Sequence, residues 1–166
     1  PPLSAPALAD DAEDAAIEAA RLATQLEHLL KTGRCVNCDL TKAKIGAAQL
    51  SGARLTGAKL VGADLAGADL SRAELAKTKL SGANLSGANL SGANLKGADL
   101  SEADLTGANL RGSDLTGANL SAAKLDGADF WGAEIRRADL TELKVENTMG
   151  ITEAEAGSSG KISIFD

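Results

Sequence analysis

A large apolar side chain recurs at every fifth position from residue 40 to residue 145, and this period constrains the fold more than any other feature of the sequence. The series has 22 members and contains no insertion or deletion. Ala, Ser, Thr or Cys stands two residues before almost every member, and Gly is commonest two residues after it. Residues 81–100, SGANLSGANLSGANLKGADL, show the pattern in its most regular form.

A period of five fits neither a β-strand, which repeats every two residues, nor an α-helix, which repeats every 3.6. The backbone must therefore turn within every repeat, and the frequent Gly and Asn residues supply the positive φ angles that tight turns need. With only two Phe, one Trp and no Tyr, the chain has to build its core from small and aliphatic side chains. The pattern predicts an all-β solenoid in which the small and the aliphatic residue of each repeat point inward.

Residues 83–87 read Ala-Asn-Leu-Ser-Gly, and this A-[DN]-L-[ST]-G pattern resembles the pentapeptide-repeat family over residues 38–145. The resemblance implies a right-handed quadrilateral β-helix with four repeats, and so twenty residues, in each coil. The repeats would then form about five and a half coils, a rod roughly 26 Å long at ~4.8 Å per coil. A left-handed hexapeptide helix, the nearest competitor, needs a period of six, which the sequence does not show.

In this register the large apolar residues form internal ladders. The expected structural core comprises Leu40, Leu60, Leu80, Leu100, Leu120 and Leu140 in one ladder, and Leu90, Leu110 and Phe130 in another. Burying each aliphatic side chain contributes about 1.5–3 kcal/mol, which does not offset the entropy lost by more than a hundred ordered residues. Hydrogen bonds between coils, assisted by polar columns such as Asn89 and Asn109, are expected to supply the balance.

The N-terminal part of the chain predicts a capping helix over residues 11–33, which open with acidic residues and end at Gly33. Its apolar stripe consists of Ile17, Leu22, Leu26, Leu29 and Leu30. We expect this stripe to cover the first coil, because an open solenoid end exposes backbone hydrogen-bonding groups and apolar side chains. A helix that lies on a membrane surface or on a partner is the alternative.

The other segments complete the expected organisation. Residues 1–10 form a flexible N-terminal segment, residues 34–147 the solenoid, and residues 148–166 a C-terminal cap and tail. The Ala-Leu-Ala sequence before Asp10 fits either a signal cleavage site or a flexible linker. The apolar tail at residues 162–165 is expected to fold back along the rod near Trp131, with docking on a partner as the alternative.

Cys35 and Cys38 lie where the predicted helix enters the first coil, and both occupy inward positions of the repeat. A structural disulfide, two reduced core thiols and a redox-active CxxC motif are all compatible with this spacing. The disulfide is favoured and would indicate an oxidising compartment, whereas the redox motif normally requires a strand-to-helix setting. His28, the only histidine, could join the two cysteines, but a fourth metal ligand is missing and no metal site is expected.

The sequence lacks the residue sets on which common enzymes depend. A single His builds no Ser-His-Asp arrangement, and no Gly-rich phosphate loop follows a strand. We therefore expect no catalytic residues, no enzyme activity and no cofactor. No run of eighteen apolar residues is present, so no membrane-spanning segment is expected.

The net charge of −6 disfavours a nucleic-acid-binding protein, which needs clustered Lys and Arg. An acidic rod that mimics B-form DNA and inhibits topoisomerases is one function that the resemblance implies. However, the four faces of the rod, starting at residues 38, 43, 48 and 53, carry net charges of −2, −1, 0 and +2 over residues 38–147. A nearly neutral rod does not reproduce the negative charge of a phosphate backbone.

Residues 29–40, LLKTGRCVNCDL, resemble the lead-in of small pentapeptide-repeat proteins of cyanobacteria and chloroplast thylakoid lumens. The resemblance implies a structural and protein-interaction module without enzyme activity, located in the thylakoid lumen or the periplasm, with the cytoplasm as the alternative. The candidate partner surface comprises Arg111, Trp131, Arg136 and Arg137 on adjoining faces, with a cation–π pair expected between Arg111 and Trp131. The sequence leaves open whether the chain is a monomer or an end-to-end dimer, and a redox-responsive protein acting through its two cysteines is a further hypothesis.

Overall fold

The computed structural model describes residues 7–143 and residue 148. One α-helix, α1 (Ala7–Thr32), precedes a coiled segment in which single-residue β-bridges are the only strand pairing among the described residues. No helix in this part of the chain is long and apolar enough to cross a membrane.

The coiled segment is a solenoid whose coils contain twenty residues each. Every bridge between described residues is parallel and joins positions twenty apart, from Arg34 with Arg54 to Asn119 with Asp139. Backbone hydrogen bonds connect neighbouring coils in both directions along the rod. The Leu90 N–H, for example, donates to the Asn109 carbonyl at 2.7 Å, and the Asn109 N–H donates to the Ala88 carbonyl at 2.9 Å. Four five-residue repeats therefore close one coil.

Each repeat has five positions, which we call small, polar, ladder, first turn and second turn. Ala88, Asn89, Leu90, Ser91 and Gly92 occupy them in one repeat. The turn closes where the N–H of the next small residue, Ala93, donates to the Leu90 carbonyl at 3.0 Å. The second turn residue has φ = 65° in this repeat, as a type II turn requires, and this explains why Gly is commonest there.

The interior of the rod holds the ladder and small residues of every face. All nine residues of the expected structural core are buried, and Phe130 takes a ladder position with 1% of its surface exposed. Thr78 and Ser113 replace Ala at small positions, and their hydroxyls donate to the carbonyls of Leu75 and Leu110 at 2.7 Å. No buried side-chain polar atom lacks a hydrogen-bond partner in the described part of the chain.

The polar position preceding each ladder residue has a structural role in the turn. Where it is Asp or Asn, its Oδ1 accepts a hydrogen bond from the backbone N–H two residues later, as between Asn89 and Ser91 at 3.2 Å. In some repeats the hydroxyl of the first turn residue donates to the same oxygen, as Ser86 does to Asn84 at 2.7 Å. This Asx turn accounts for the [DN]-L-[ST] part of the repeat, because only a short side-chain acceptor reaches that N–H.

The helix α1 begins earlier than the sequence predicts. The structure starts it at Ala7 rather than residue 11, so that part of the predicted flexible segment is helical. Residues 7–20 are rich in Ala, which has the highest helix propensity. Thr32 is the last helical residue, and Gly33 follows with φ = 66°, the left-handed conformation common just after a helix.

Only the C-terminal half of α1 packs against the solenoid. Leu29 is fully buried, and Leu22 and Leu26 are partly buried against the core. Ile17 and Leu30, which the sequence places in the same stripe, are 59% and 58% exposed. That part of the prediction is wrong, because positions 22, 26 and 29 share one face of a helix, whereas 17 and 30 lie well off it at about 100° per residue.

A side chain of α1 also bonds to the first coil. Gln25 Oε1 accepts a hydrogen bond from the Asp39 N–H at 2.8 Å. This contact fixes the helix relative to the polar position of the first repeat.

At the C-terminal end, Thr148 is buried, and its hydroxyl donates to the Leu125 carbonyl at 2.7 Å. Residues 144–147 and 149–166 lie outside the described residues. They include the last ladder position at Val145, most of the expected C-terminal cap and the tail at residues 162–165. The expected length of about five and a half coils includes some of these residues, whereas the β-bridges extend from residue 34 to residue 139.

Candidate partner-binding surface

Trp131 is the most exposed large apolar side chain among residues 11–143, with 61% of its surface accessible. It occupies a first turn position, one coil beyond Arg111 in the same column. The backbone joins the two coils at this point, since the Gly112 N–H donates to the Trp131 carbonyl at 3.0 Å. An indole in this position stands on a rigid backbone and offers its surface to solvent.

Asp129 joins Arg111 and Trp131 through its two carboxylate oxygens. Oδ1 accepts a hydrogen bond from the Trp131 N–H at 3.0 Å, and Oδ2 lies 3.4 Å from Nη1 of Arg111. The Arg111 guanidinium is therefore held by the carboxylate of Asp129 in the polar column. The sequence does not predict this contact. The cation–π pair between Arg111 and Trp131 stays a prediction.

Arg136 and Arg137 lie at the two turn positions of the adjoining face. Nη2 of Arg136 is 3.0 Å from Oε2 of Glu134, and both side chains are exposed. Arg137 has φ = 60°, a left-handed conformation that L-residues rarely adopt. We call Arg111, Trp131, Arg136 and Arg137 together the basic-aromatic corner.

Lys96 adds a further cation to the column of Arg136, two coils earlier. Its Nζ lies 2.8 Å from Oδ2 of Asp114, and this bond raises the pKa of Lys96 above its usual value. Sequence reasoning missed this pair, although a signal exists. The cation and the carboxylate are eighteen residues apart, as are Arg111 and Asp129, because this spacing joins a first turn position to the polar position one coil later.

Cys35 and Cys38 are joined by a disulfide bond at the entrance to the first coil. Cys35 is buried and Cys38 is partly exposed. The Cys35 N–H donates to the Arg54 carbonyl at 2.8 Å, and its sulfur lies 3.8 Å from the Gln25 carbonyl of α1. The bond closes the first turn of the solenoid directly beneath the helix.

His28 lies on the exposed side of α1. Among residues 7–143 and 148, no three His, Cys, Asp or Glu side chains are grouped so that they could hold a metal ion.

The family profile "Pentapeptide repeats (8 copies)" matches residues 48–87, 83–121 and 113–148, which together are more than half of the chain. The chain belongs to the pentapeptide-repeat family, and its fold is the right-handed β-helix of that family, with the twenty-residue coils described above.

Solved structures similar to this chain include three cyanobacterial pentapeptide-repeat proteins. Rfr23 from Cyanothece 51142 is 29% identical, with 78% of this chain and 99% of that chain covered and a TM-score of 0.49. HetL from Nostoc sp. strain PCC 7120, described as involved in heterocyst differentiation regulation, is 33% identical, with 70% and 63% covered and a TM-score of 0.48. The protein alr5209 from Nostoc PCC 7120 is 36% identical, with 75% and 94% covered and a TM-score of 0.39. A comparison with curated proteins finds no match.

Proposed function

We propose that the chain is a non-enzymatic interaction module that binds a protein partner through the basic-aromatic corner. The exposure of Trp131 carries this proposal. Trp and Arg are the residues that contribute most often to the energy of protein interfaces, because each combines a large contact area with directional polar groups. Trp131 stands on a rigid coil, so its binding would cost little backbone entropy.

The charges of the corner indicate the chemistry of the partner. Arg111 and Arg136 already contact the carboxylates of Asp129 and Glu134, which hold their guanidinium groups in place. Arg137 has no ion-pair partner among the described residues, so it is available to a carboxylate of another protein. The expected partner offers an apolar pocket for the indole with acidic side chains at its rim.

Affinity capture from an extract of the native source tests this proposal with the full chain as bait. Proteins captured by the wild type should be depleted at least tenfold with Trp131→Ala and with Arg137→Gly, and retained with Val61→Ala. Val61 is the matched control, because it is another exposed apolar first turn residue, on a different face. A set of captured proteins that is the same for Trp131→Ala and wild type would remove the corner as the binding site.

A redox-responsive role is a second candidate, supported by the Cys35–Cys38 disulfide, in which Cys38 is partly exposed. The disulfide also supports location in an oxidising compartment such as the thylakoid lumen or the periplasm. Alkylation of the protein from its native source, with and without reductant, tests both ideas by mass. A mass lower by two hydrogens without reductant supports the oxidised compartment, and free thiols contradict it. The redox role further requires that reduction change partner capture, and unchanged capture would exclude it.

We also infer that α1 caps the first coil of a rod of about five and a half coils. The burial of Leu29 and the hydrogen bond from the Asp39 N–H to Gln25 support this role. Leu26→Ser should accelerate hydrogen exchange at the Leu40 and Ile45 amides, whereas Ile17→Ser, on the exposed face, should leave it unchanged. Equal exchange in both variants would contradict the inference.

Mimicry of DNA toward a topoisomerase is the least supported alternative, because the faces of the rod carry small charges of both signs. The proposal predicts no inhibition of DNA supercoiling by the purified chain.

A further inference from the structure

One face of the rod segregates its charges by sign along the axis. The first face comprises residues 38–42, 58–62, 78–82, 98–102, 118–122 and 138–142, one repeat from each coil. Its first three repeats carry a net charge of +2 and its last three a net charge of −4. Its cations are Lys42, Lys59 and Lys79, and its anions are Asp39, Asp99, Glu102, Asp139 and Glu142.

Part of this charge has no partner among the residues that the structure describes. Lys59 Nζ contacts Asp39 Oδ2 at 3.1 Å, but Lys42, Lys79 and Glu142 form no side-chain hydrogen bond or ion pair among the described residues. Lys59 and Lys79 are directly bridged between neighbouring coils. Like charges in such facing positions repel, so the arrangement costs free energy in the isolated rod.

The second turn column of the first face also differs from the other columns. Lys42, Glu102 and Glu142 have φ values of 58°, 58° and 55°, a conformation that costs an L-residue roughly 1–2 kcal/mol. Gly takes the equivalent position in most repeats of the other faces. Charged residues take the same conformation at Arg72, Lys77 and Arg137 on other faces, but only the first face holds three of them among the described residues.

The first turn column of the first face runs between the polar column and the second turn column, which carry these charges. It contains only small side chains, namely Thr41, Val61, Ser81, Ser101, Ser121 and Thr141. No large side chain from this column would keep a second flat surface away from the face.

We propose that the first face docks on the first face of a second copy of the chain, antiparallel and related by a two-fold axis. The two-fold axis lies between the coil of Lys79 and the coil of Asp99. Each column of one copy then faces the same column of the other copy, with the order of its residues reversed. Lys79 of one copy then opposes Asp99 of the other, and Lys42 opposes Glu142. Gly82 opposes Glu102, which leaves room for the longer side chain. Each of these pairings occurs twice, as the two-fold symmetry requires.

The complementarity of the face with itself argues for a second copy rather than an unrelated partner. A purely basic or purely acidic face would call for a partner of opposite charge, whereas this face has a net positive half and a net negative half that oppose each other in the antiparallel pair. The pairing of Asp39 with Asp139 is unfavourable and subtracts from this attraction. One face of a narrow rod buries less than the ~800 Å² per partner of a standard interface. The association is therefore weak and depends on charge, so it should decrease as salt screens the ion pairs.

Sedimentation velocity of the full chain over a concentration series, at low and at high salt, tests the proposal. The wild type should dimerise at low salt, and Lys42→Glu and Glu142→Lys should each weaken dimerisation at least tenfold. The double variant Lys42→Glu/Glu142→Lys should restore it to within about threefold, because each reversed pair regains its opposite partner. Lys77→Glu is the matched control, since Lys77 has the same charge and the same positive φ, 58°, on another face.

Carbodiimide crosslinking identifies the interface independently. Lys42 and Glu142 are five coils apart in one chain, too far for a zero-length crosslink, so a Lys42–Glu142 crosslink can form only between copies. A wild type that stays monomeric at low salt overturns the proposal. So does a dimer that all three charge variants leave unchanged, which would point to contact through the ends of the rod.

Discussion

Asn109 donates a hydrogen bond from Nδ2 to Oδ1 of Asn89, one coil away, across 3.2 Å. The same Oδ1 of Asn89 accepts the Ser91 N–H, and Oδ1 of Asn109 accepts the Arg111 N–H at 3.1 Å. The Oδ1 of an Asn in the polar column therefore accepts the hydrogen bond that shapes its own turn, and its Nδ2 donates to a neighbouring coil. An ionised Asp has no donor, so it joins a neighbouring coil only as an acceptor, as Asp69 Oδ1 does for Nδ2 of Asn89 at 3.2 Å.

Asn109→Asp should lower the free energy of unfolding by about 1 kcal/mol, since it loses the Nδ2 donor and places a carboxylate beside Asp129. Asn109→Ala should cost more, about 2 kcal/mol, because it also leaves the turn N–H of Arg111 without its acceptor. Urea unfolding followed by circular dichroism measures both values. Equal stability of Asn109→Ala and Asn109→Asp would contradict a role in the turn.

Leu90→Asp should unfold the rod, because Leu90 is fully buried and no Lys or Arg is buried among the described residues to pair with a carboxylate. Leu90→Ala should remain folded but lose roughly 2–5 kcal/mol, through lost burial and a residual cavity. Leu90→Met is the control for volume and should cost less than about 1.5 kcal/mol. A urea midpoint of Leu90→Asp equal to that of the wild type would exclude the internal ladder.

Arg72→Gly should raise stability by about 0.5–1 kcal/mol, because Arg72 has φ = 56° and Gly adopts that conformation without steric cost. The converse variant, Gly87→Ala, should lower stability by about 1 kcal/mol. An added Cβ at Gly87 would meet no atom within 4 Å, so the loss would report backbone conformation alone. Thermal unfolding of the two variants should therefore shift in opposite directions, and shifts of the same sign would contradict this account.

Gly57→Ala should be slightly more harmful than Gly87→Ala, although the two glycines have similar φ values of 69° and 63°, because the exposed Asn37 side chain must move aside. A Cβ on Gly57 would collide with Oδ1 of Asn37, one coil earlier. The double variant Asn37→Gly/Gly57→Ala removes that collision and should recover part of the loss. Measured urea midpoints that rank Gly57→Ala above Gly87→Ala would refute the close approach.

Acid should destabilise the rod through Asp39. The Thr41 hydroxyl, at 2.7 Å, and Lys59 stabilise its carboxylate and lower its pKa to about 2. Because the folded pKa lies below the unfolded value, the stabilisation is complete above the unfolded pKa near 4 and is lost as the pH falls from about 4 to about 2. The pKa values of Asp69, Asp104 and Asp114 are lowered as well, so their losses add to that of Asp39.

Asp39→Asn provides the control for this pH dependence, because Asn preserves the Asx acceptor but has no carboxyl group to titrate. Its unfolding free energy should be lower than that of the wild type at pH 7 and should change less between pH 5 and pH 2. Parallel pH profiles of the two proteins would show that Asp39 does not contribute.

The contacts of the polar column can be predicted from the sequence only in part. Once the repeat is aligned in coils of twenty, Asn89 and Asn109 become neighbours, and the sequence predicts their column. Asp129 belongs to the same column, yet its contact with Arg111 was not anticipated, because a side chain's partner depends on its rotamer as well as its register. The same limit applies to Ile17 and Leu30, whose apolar character suggested contact with the first coil although their helix face turns away from it.

The five-residue period by itself determined the inward ladder, the turn in every repeat and the preference for Gly at the second turn position. These features follow from local sterics and from the exclusion of apolar side chains from water, and both act within one repeat. Only the tertiary structure decided which residues of α1 pack on the first coil, which cysteine remains partly exposed and which carboxylates hold Arg111, Arg136 and Lys96. Those outcomes depend on distances between coils and on competition among several neighbours, and a single repeat contains no information about either.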